Sequence, residues 1–162
     1  MEYYDIVLES CTFDEELEKK LGFKKIFKLN LSNNNISHRI AYLNNPKILY
    51  LIKNHKIDAV ICNDYSLNKK FTELIKRHKI ILYFLIPNTK ERFILSKDLF
   101  KLQITFNYVI KNKIKASFIS LASSPKYLCS YIQIIEFAKF IGADEQYVRL
   151  CLNKFNNISL TM

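Results

Sequence analysis

Short apolar runs alternate with amphipathic stretches along most of the chain, and this alternation predicts strands that take turns with helices. The run at residues 80–86 is apolar throughout, as expected for a strand that is buried on both faces. Strands and helices in this order indicate parallel pairing with right-handed crossovers. The predicted strands are residues 3–8, 25–29, 39–43, 57–62, 80–86 and 116–119, and the predicted helices are residues 12–21, 46–54, 67–78, 96–111, a stretch ending at 141, and 146–154.

The length of 162 residues and the hydrophobic content of 49% predict one α/β domain over residues 1–162. A complete eight-stranded barrel needs ~200 residues or more. We therefore expect a reduced or open version of a TIM-barrel-like parallel β/α fold. An open flavodoxin-like sheet is the alternative that the same pattern allows.

Three features mark the expected ends of helices. Thr12, with Glu15 three positions later, predicts a capping box at the start of the first helix. Gly22 predicts the end of that helix, because glycine readily adopts the left-handed conformation that follows a helix. Pro46 predicts the start of the second helix, where its missing N–H costs nothing.

Positive charge is distributed unevenly along the sequence. The chain has 25 Lys and Arg against 15 Asp and Glu, a formal net charge of +10. Seven of the acids lie in residues 1–21 beside only two lysines, so residues 22–162 carry a net charge of +15. Such a field attracts polyanions in a salt-dependent way, although a lysine-rich surface can also serve solubility alone. We expect the acidic segment to face solvent or a partner protein, because its carboxylates would repel phosphates.

Few residues point to catalysis or to metal binding. The glycines, Gly22 and Gly142, are 120 positions apart, so the sequence contains no glycine-rich phosphate loop. The four cysteines form no C-x-x-C pair, and we expect free thiols that act as small apolar residues. His55 and His78 each end a predicted helix, where a cation complements the helix dipole. The sequence therefore predicts no catalytic residues and no metal ligands.

The sequence gives no sign of membrane insertion or secretion. The longest uncharged apolar run, residues 80–87, is far shorter than the ~20 residues that a membrane span requires. The first five residues are acidic and lack the basic start of a signal peptide. We expect a cytoplasmic protein that does not contact membranes.

Polar residues follow the predicted strands at their carboxyl ends, where parallel α/β folds usually bind ligands. They are mostly amides and hydroxyls, with few carboxylates and no histidine. This ring indicates a hydrogen-bonding surface rather than a reaction centre. Its members are Glu9, Ser10, Asn30, Asn44, Asn45, Asn63, Asp64, Asn88, Thr89 and residues 120–124.

The last third of the chain has a recognisable order of elements. The strand Ala116-Ser117-Phe118-Ile119 runs into the polar corner Ser120-Leu121-Ala122-Ser123-Ser124-Pro125-Lys126, then into a helix that ends at Ile141-Gly142, and then into a short closing helix. This block resembles the C-terminal segment of archaeal ribonuclease P protein component 3, the counterpart of the thirty-kilodalton eukaryotic subunit. Lys56-Ile57-Asp58-Ala59-Val60, residues 79–86 and Pro87-Asn88-Thr89-Lys90-Glu91-Arg92 are similar to further parts of that family.

The resemblance implies a barrel related to the PHP-type metal-dependent phosphoesterases. Those enzymes carry histidines on the first strand, and here that strand reads Asp5-Ile6-Val7-Leu8-Glu9. The resemblance also implies an RNA-binding subunit of ribonuclease P, which pairs with a second small protein subunit and supports the catalytic RNA in 5′ maturation of precursor tRNA. The protein would bind no cofactor itself and cleave nothing alone, whereas the RNA of the holoenzyme would use Mg²⁺.

We expect RNA contacts from basic residues near the strand ends and the serine-rich corner. Leu121 stands where the family has glycine, and we expect leucine not to tolerate the backbone freedom that glycine gives. Each basic residue is equally compatible with an ordinary solvated side chain. The expected RNA-binding residues are Lys90, Arg92, Lys115 and Lys126, with Arg39 and Lys97 as secondary candidates.

Two other functions fit the same residues. One is a general RNA- or protein-binding scaffold that has no link to ribonuclease P. The other is a metal-dependent phosphoesterase acting on a phosphorylated metabolite, which would need a metal site. The identity of any nucleic acid that co-purifies with the protein separates these functions from the first.

Overall fold

A computed structural model describes residues 3–30, 36–37, 39–65, 67–86 and 96–153, and for residues 36–37, 96 and 150–153 it describes the backbone alone. The strands are β1 (Tyr4–Leu8), β2 (Lys25–Leu29), β3 (Ile36–Ser37), β4 (Ile40–Tyr42), β5 (Ala59–Cys62), β6 (Ile81–Leu85) and β7 (Ala116–Ile119). The helices are α1 (Glu15–Lys20), α2 (Ile48–Lys53), α3 (Lys69–Arg77), α4 (Ser96–Lys111), α5 (Tyr131–Phe140) and α6 (Glu145–Asn153), with a 3₁₀ turn at Pro125–Tyr127. None of the helices in these ranges is long and apolar enough to cross a membrane.

The predicted strands and helices are all present, with boundaries that differ by a few residues. The start of the first helix was predicted wrongly. Asp14 is its N-cap, and the Asp14 carboxylate accepts a hydrogen bond of 2.8 Å from the N–H of Leu17. The helix therefore begins at Glu15 and not at Thr12. Gly22 ends it as predicted, with a φ of 82°.

The strands form two sheets in which neighbouring strands are mostly parallel. The smaller sheet pairs β1 with β2, and the larger has the order β3-β4-β5-β6-β7. Four of its strands, β4 to β7, are parallel, which confirms the predicted α/β class. The short strand β3 pairs antiparallel with β4 and was not predicted.

Backbone hydrogen bonds join the smaller sheet to the end of the larger one. The N–H of Leu121 donates to the carbonyl of Ile6 at 2.9 Å, and the N–H of Leu8 donates to the carbonyl of Ala122 at 3.0 Å. The bonded residues follow in the same order along both segments, so the two segments run parallel. The first strand therefore lies beside the chain that leaves the last strand, 115 residues away in sequence.

The two faces of the sheets pack differently. One face packs against the helices, which contribute Phe71, Phe106 and Ile134 to the larger apolar cluster. Among the described residues, the other face packs on strand and strand-end side chains from both sheets. Because both sheets contribute to this second cluster, which we call the strand-only cluster, it fixes how they lie against each other. Its buried members are Tyr4, Ile6, Leu29, Ile40, Ala59, Ile61, Tyr83, Leu85, Ile119 and Leu121.

Candidate nucleic-acid interface

The serine-rich corner after β7 is fastened to β1 by a buried carboxylate. Asp5 is fully buried and accepts hydrogen bonds from the N–H of Ile6 at 2.8 Å and from the N–H of Ser120 at 2.9 Å. The hydroxyl of Ser120 donates to the second carboxylate oxygen at 2.5 Å. Burial raises the pKa of Asp5 from 3.8 to about 6, against the opposing effect of these hydrogen bonds. The corner is thus a structural joint that contains a buried carboxyl group with a raised pKa.

Leu121 follows Ser120 in this corner. Its backbone has the conformation that glycine favours and that leucine was expected not to tolerate. Its φ is 46°, in the left-handed region that favours glycine. The expectation that leucine would not tolerate this conformation is therefore wrong. The physical reason is burial: the Leu121 side chain is only 4% exposed and belongs to the strand-only cluster, so its apolar packing offsets the backbone strain.

The raised pKa of Asp5 makes stability depend on pH. Between pH 4 and pH 6 the folded protein keeps a proton that the unfolded chain has released, so the free energy of unfolding falls as the pH rises through this window. We expect Asp5→Asn to remove this dependence, because an amide is neutral at all these values. In urea unfolding, the free energy of unfolding of Asp5→Asn minus that of the wild type should rise by on the order of 3 kcal/mol between pH 4 and pH 7.

Ser120→Ala provides the matching test. The hydroxyl of Ser120 lowers the pKa of Asp5, so its removal should raise that pKa further. The free energy of unfolding of Ser120→Ala should then continue to fall at pH values above 6. If the difference in free energy of unfolding between Asp5→Asn and the wild type stays constant from pH 4 to pH 7, Asp5 does not have the raised pKa.

A second group of side chains lies at the opposite end of the strands. We call the side on which β4 to β7 begin the amino edge of the sheet. Each helix that returns to this edge is followed by exposed lysines: Lys56 before β5, Lys79 before β6, and Lys113 and Lys115 before β7. Together with Arg39, which precedes β4, these residues form what we call the basic edge.

Backbone hydrogen bonds set the basic edge in one row. The carbonyl of Arg39 accepts from the N–H of Asp58 at 2.8 Å, and the carbonyl of Asp58 accepts from the N–H of Ile81 at 2.9 Å. The carbonyl of Lys115 accepts from the N–H of Leu82, also at 2.9 Å. Neighbouring strands lie about 4.8 Å apart, so the row from β4 to β7 covers about 14 Å.

Several residues of this edge hold backbone conformations that glycine would adopt more easily. His55, Lys79 and Lys113 have φ values of 54°, 56° and 57°, each just after a helix. A left-handed conformation costs a residue with a Cβ roughly 1–2 kcal/mol. Gly22 and Gly142 occupy the equivalent places after α1 and α5. The amino edge therefore keeps basic side chains where backbone geometry alone would favour glycine.

Arg39 is engaged within the protein. Its guanidinium donates to both carboxylate oxygens of Asp58, at 2.5 and 2.8 Å, and to the carbonyl of His55 at 2.8 Å. These bonds with Asp58 raise the pKa of Arg39 further. Because a bidentate pair of this kind fixes the guanidinium, the lysines of the row are the cations available to a ligand.

The structure brings only some of the predicted RNA-binding residues together. Arg39 and Lys115 share the amino edge. Lys97 lies in the first turn of α4, whose 16 residues span about 24 Å before they reach that edge. Lys126 follows the carboxyl end of β7, with its ammonium 4.7 Å from the centre of the Tyr127 ring. Lys90 and Arg92 lie outside the described residues.

The polar ring predicted at the carboxyl ends is partly used by the fold itself. The hydroxyl of Ser10 donates to the carbonyl of Ser123 at 3.3 Å, and the amide oxygen of Asn45 accepts from the N–H of Lys47 at 2.8 Å. Asn45 is buried, and so is Ser120. These contacts close loops, so the described part of this end of the sheet offers fewer free polar groups than the sequence suggested. Asn88 and Thr89 lie outside the described residues.

Sequence reasoning missed Lys56, Lys79 and Lys113. Each stands two or three positions before a strand, directly after a predicted helix, and that recurring position is the signal that could have identified them. His55 and His78 end helices as predicted, and their rings lie 5.0 Å apart beside the row.

The described cysteines are reduced thiols that take part in no disulfide and lie in apolar surroundings. Cys11 and Cys62 are buried and Cys129 is half-buried. Burial, with a smaller contribution from Asp64, raises the pKa of Cys62 to about 12. Burial, with a contribution from Asp5, raises the pKa of Cys129 to about 11. These thiols are protonated near neutral pH, which fits the predicted role as small apolar residues.

Two further observations bear on identity. Across the described ranges, no group of three or more His, Cys, Asp or Glu residues is placed to hold a metal ion. The chain matches no model of a known protein family and no curated protein sequence.

Proposed function

We propose that this chain is an RNA-binding protein that contacts a phosphate backbone through its basic edge. The observation that carries the proposal is the row of exposed lysines, Lys56, Lys79, Lys113 and Lys115, at the starts of three neighbouring strands. These three strands are together about 10 Å across, and a row of cations of this length is too extended for the phosphate of one small metabolite. It suits a polyanion whose charges repeat along a chain.

Within that class, we propose a subunit of a ribonuclease P complex, which binds the catalytic RNA and a second small protein subunit and supports 5′ maturation of precursor tRNA in the cytoplasm. The resemblance of residues 116–142 to archaeal ribonuclease P protein component 3 supports this assignment. The left-handed conformation of Leu121 adds to it, because Leu121 occupies the place of the family's glycine and has a φ that glycine favours.

We propose a reduced barrel as the architecture behind this function. In a flavodoxin-like sheet the first strand lies between the second and the third. Here β1 lies between β2 and the segment that leaves β7, which is the neighbourhood that a barrel gives its first strand. A packed interior of strand side chains is also typical of such barrels, and the strand-only cluster has that composition.

Reconstitution with an RNA tests the proposal. The full chain is added to an archaeal ribonuclease P RNA at limiting Mg²⁺, and 5′ cleavage of precursor tRNA is measured. We expect the protein to increase the cleavage rate of the RNA and to cleave nothing when the RNA is omitted. RNA binding without any effect on cleavage would favour the general RNA-binding scaffold. A chain that bound no RNA at all would contradict both functions.

A further inference from the structure

A pocket of about 340 Å³ opens at one end of the basic edge. It lies between the end of α4, the first residues of β6 and β7, and the first turn of α6. Ile81, Ile110 and Ile114 form apolar walls. Its volume is within the range of small-molecule sites, which are mostly apolar with a few polar groups that orient the ligand.

An aromatic ring is held in place at the side of this pocket. Tyr147, in the first turn of α6, lines the pocket and is half-buried. Its hydroxyl donates to the carbonyl of Ile114 at 3.3 Å, and its ring meets the edge of Phe106 with 6.2 Å between centroids. A ring that is fixed in this way is a preformed stacking partner for another flat ring.

Two cations stand at the rim of the same pocket. Lys113 and Lys115 both line it and are both exposed, and none of the described residues that line it is a carboxylate. Two acids lie close to Tyr147 in sequence, and both are engaged within the protein. The carboxylate of Asp144 accepts from the N–H of Tyr147 at 3.1 Å, and Glu145 pairs with Arg149 at 2.7 Å. The pocket therefore combines an apolar interior that can hold an aromatic ring with an entrance whose lysines attract anionic groups.

We propose that this pocket holds the base of an unpaired nucleotide of a bound RNA, while the adjoining phosphates contact Lys113 and Lys115. The inference rests on the proposed function and adds to it a specific ligand class at one place on the basic edge. Base stacking on a protein aromatic ring tolerates any base, so single-stranded segments are the expected ligands.

The test fills the pocket without changing charge. Ile110→Trp places a large side chain inside it, and Ile104→Trp places the same side chain on an exposed position of α4 outside the pocket. Binding of a fluorescently labelled single-stranded ten-uridine RNA is measured by anisotropy over a range of salt concentrations. We expect Ile110→Trp to weaken binding about tenfold with an unchanged salt slope, and Ile104→Trp to bind like the wild type. Circular dichroism establishes that both variants are folded.

Further measurements separate the possible outcomes. Tyr147→Leu, which keeps an apolar wall but removes the ring, should also weaken binding, and an oligomer with abasic residues should bind wild type and Ile110→Trp equally. If Ile110→Trp and Tyr147→Leu bind the ten-uridine RNA as the wild type does, the pocket inference is wrong while the basic edge remains the proposed interface. Binding of dodecanoate at the pocket, with no effect of Ile110→Trp on RNA, would assign the pocket to apolar anions. Failure of the wild type to bind any RNA would contradict the proposed function itself.

Discussion

Replacing Lys56, Lys79, Lys113 and Lys115 together by alanine is expected to weaken RNA binding by on the order of 100-fold at low salt. Each lysine that contacts a phosphate releases a counterion from the RNA, which contributes about 0.7–0.9 to the slope of log affinity against log salt. The variant should therefore lose about 3 from the slope measured by anisotropy or filter binding. The four side chains are exposed and the substitutions leave the apolar core intact, so the fold should be retained.

A second quadruple variant provides a control that is matched in charge. Lys47, Lys69, Lys70 and Lys101 are also exposed, but they lie at the start of α2, in the first turn of α3 and in the second turn of α4, away from the amino edge. Their replacement by alanine removes the same net charge and should leave most of the affinity and the slope in place. Equal losses in both variants would mean that RNA responds to the overall charge of the protein and not to the basic edge.

The arrangement of strands and helices followed from hydrophobic periodicity, whereas the connection between the sheets did not. The five-residue strands β2 and β6 were predicted almost to the residue. The first mixes apolar residues with two lysines, and the second is apolar throughout. The strand β3 has only two residues, too few to show any period. The joint between Asp5 and Ser120 depends on a buried carboxylate, and a single acid inside an apolar strand gives no sign of its partner 115 residues away.

The basic edge was predicted only in part, because the expected RNA-binding residues were placed mainly near the carboxyl ends of the strands. The rule that ligands bind at the carboxyl ends of parallel strands describes clefts for small molecules and cofactors. It directed attention to the amides and hydroxyls after each strand, several of which turned out to close loops. A long polyanion needs an exposed row of cations and no cleft. Lys79 and Lys113 lie before strands, at the opposite end from these amides and hydroxyls, and were overlooked.

Leu121 has a left-handed backbone at the position where the resembled family has glycine, and its replacement should change the free energy of unfolding strongly. We expect Leu121→Ala to lower the free energy of unfolding by about 3–4 kcal/mol, because it removes a buried side chain from the strand-only cluster. Leu121→Gly removes the same apolar contacts, but it also releases the strain of a left-handed backbone at a φ of 46°. The glycine variant should therefore be the more stable of the two by about 1 kcal/mol.

The order of the two variants is the decisive measurement, and Leu85 provides the comparison. Leu85 is 1% exposed in the same strand-only cluster but lies in the regular strand β6. There glycine lacks any conformational advantage, so Leu85→Ala should be more stable than Leu85→Gly by about 0.5–1 kcal/mol. Urea unfolding of the four variants measures both differences. If Leu121→Ala is also more stable than Leu121→Gly, the backbone at position 121 is not left-handed. That result would also remove the structural support for the resemblance to the family's glycine at this position.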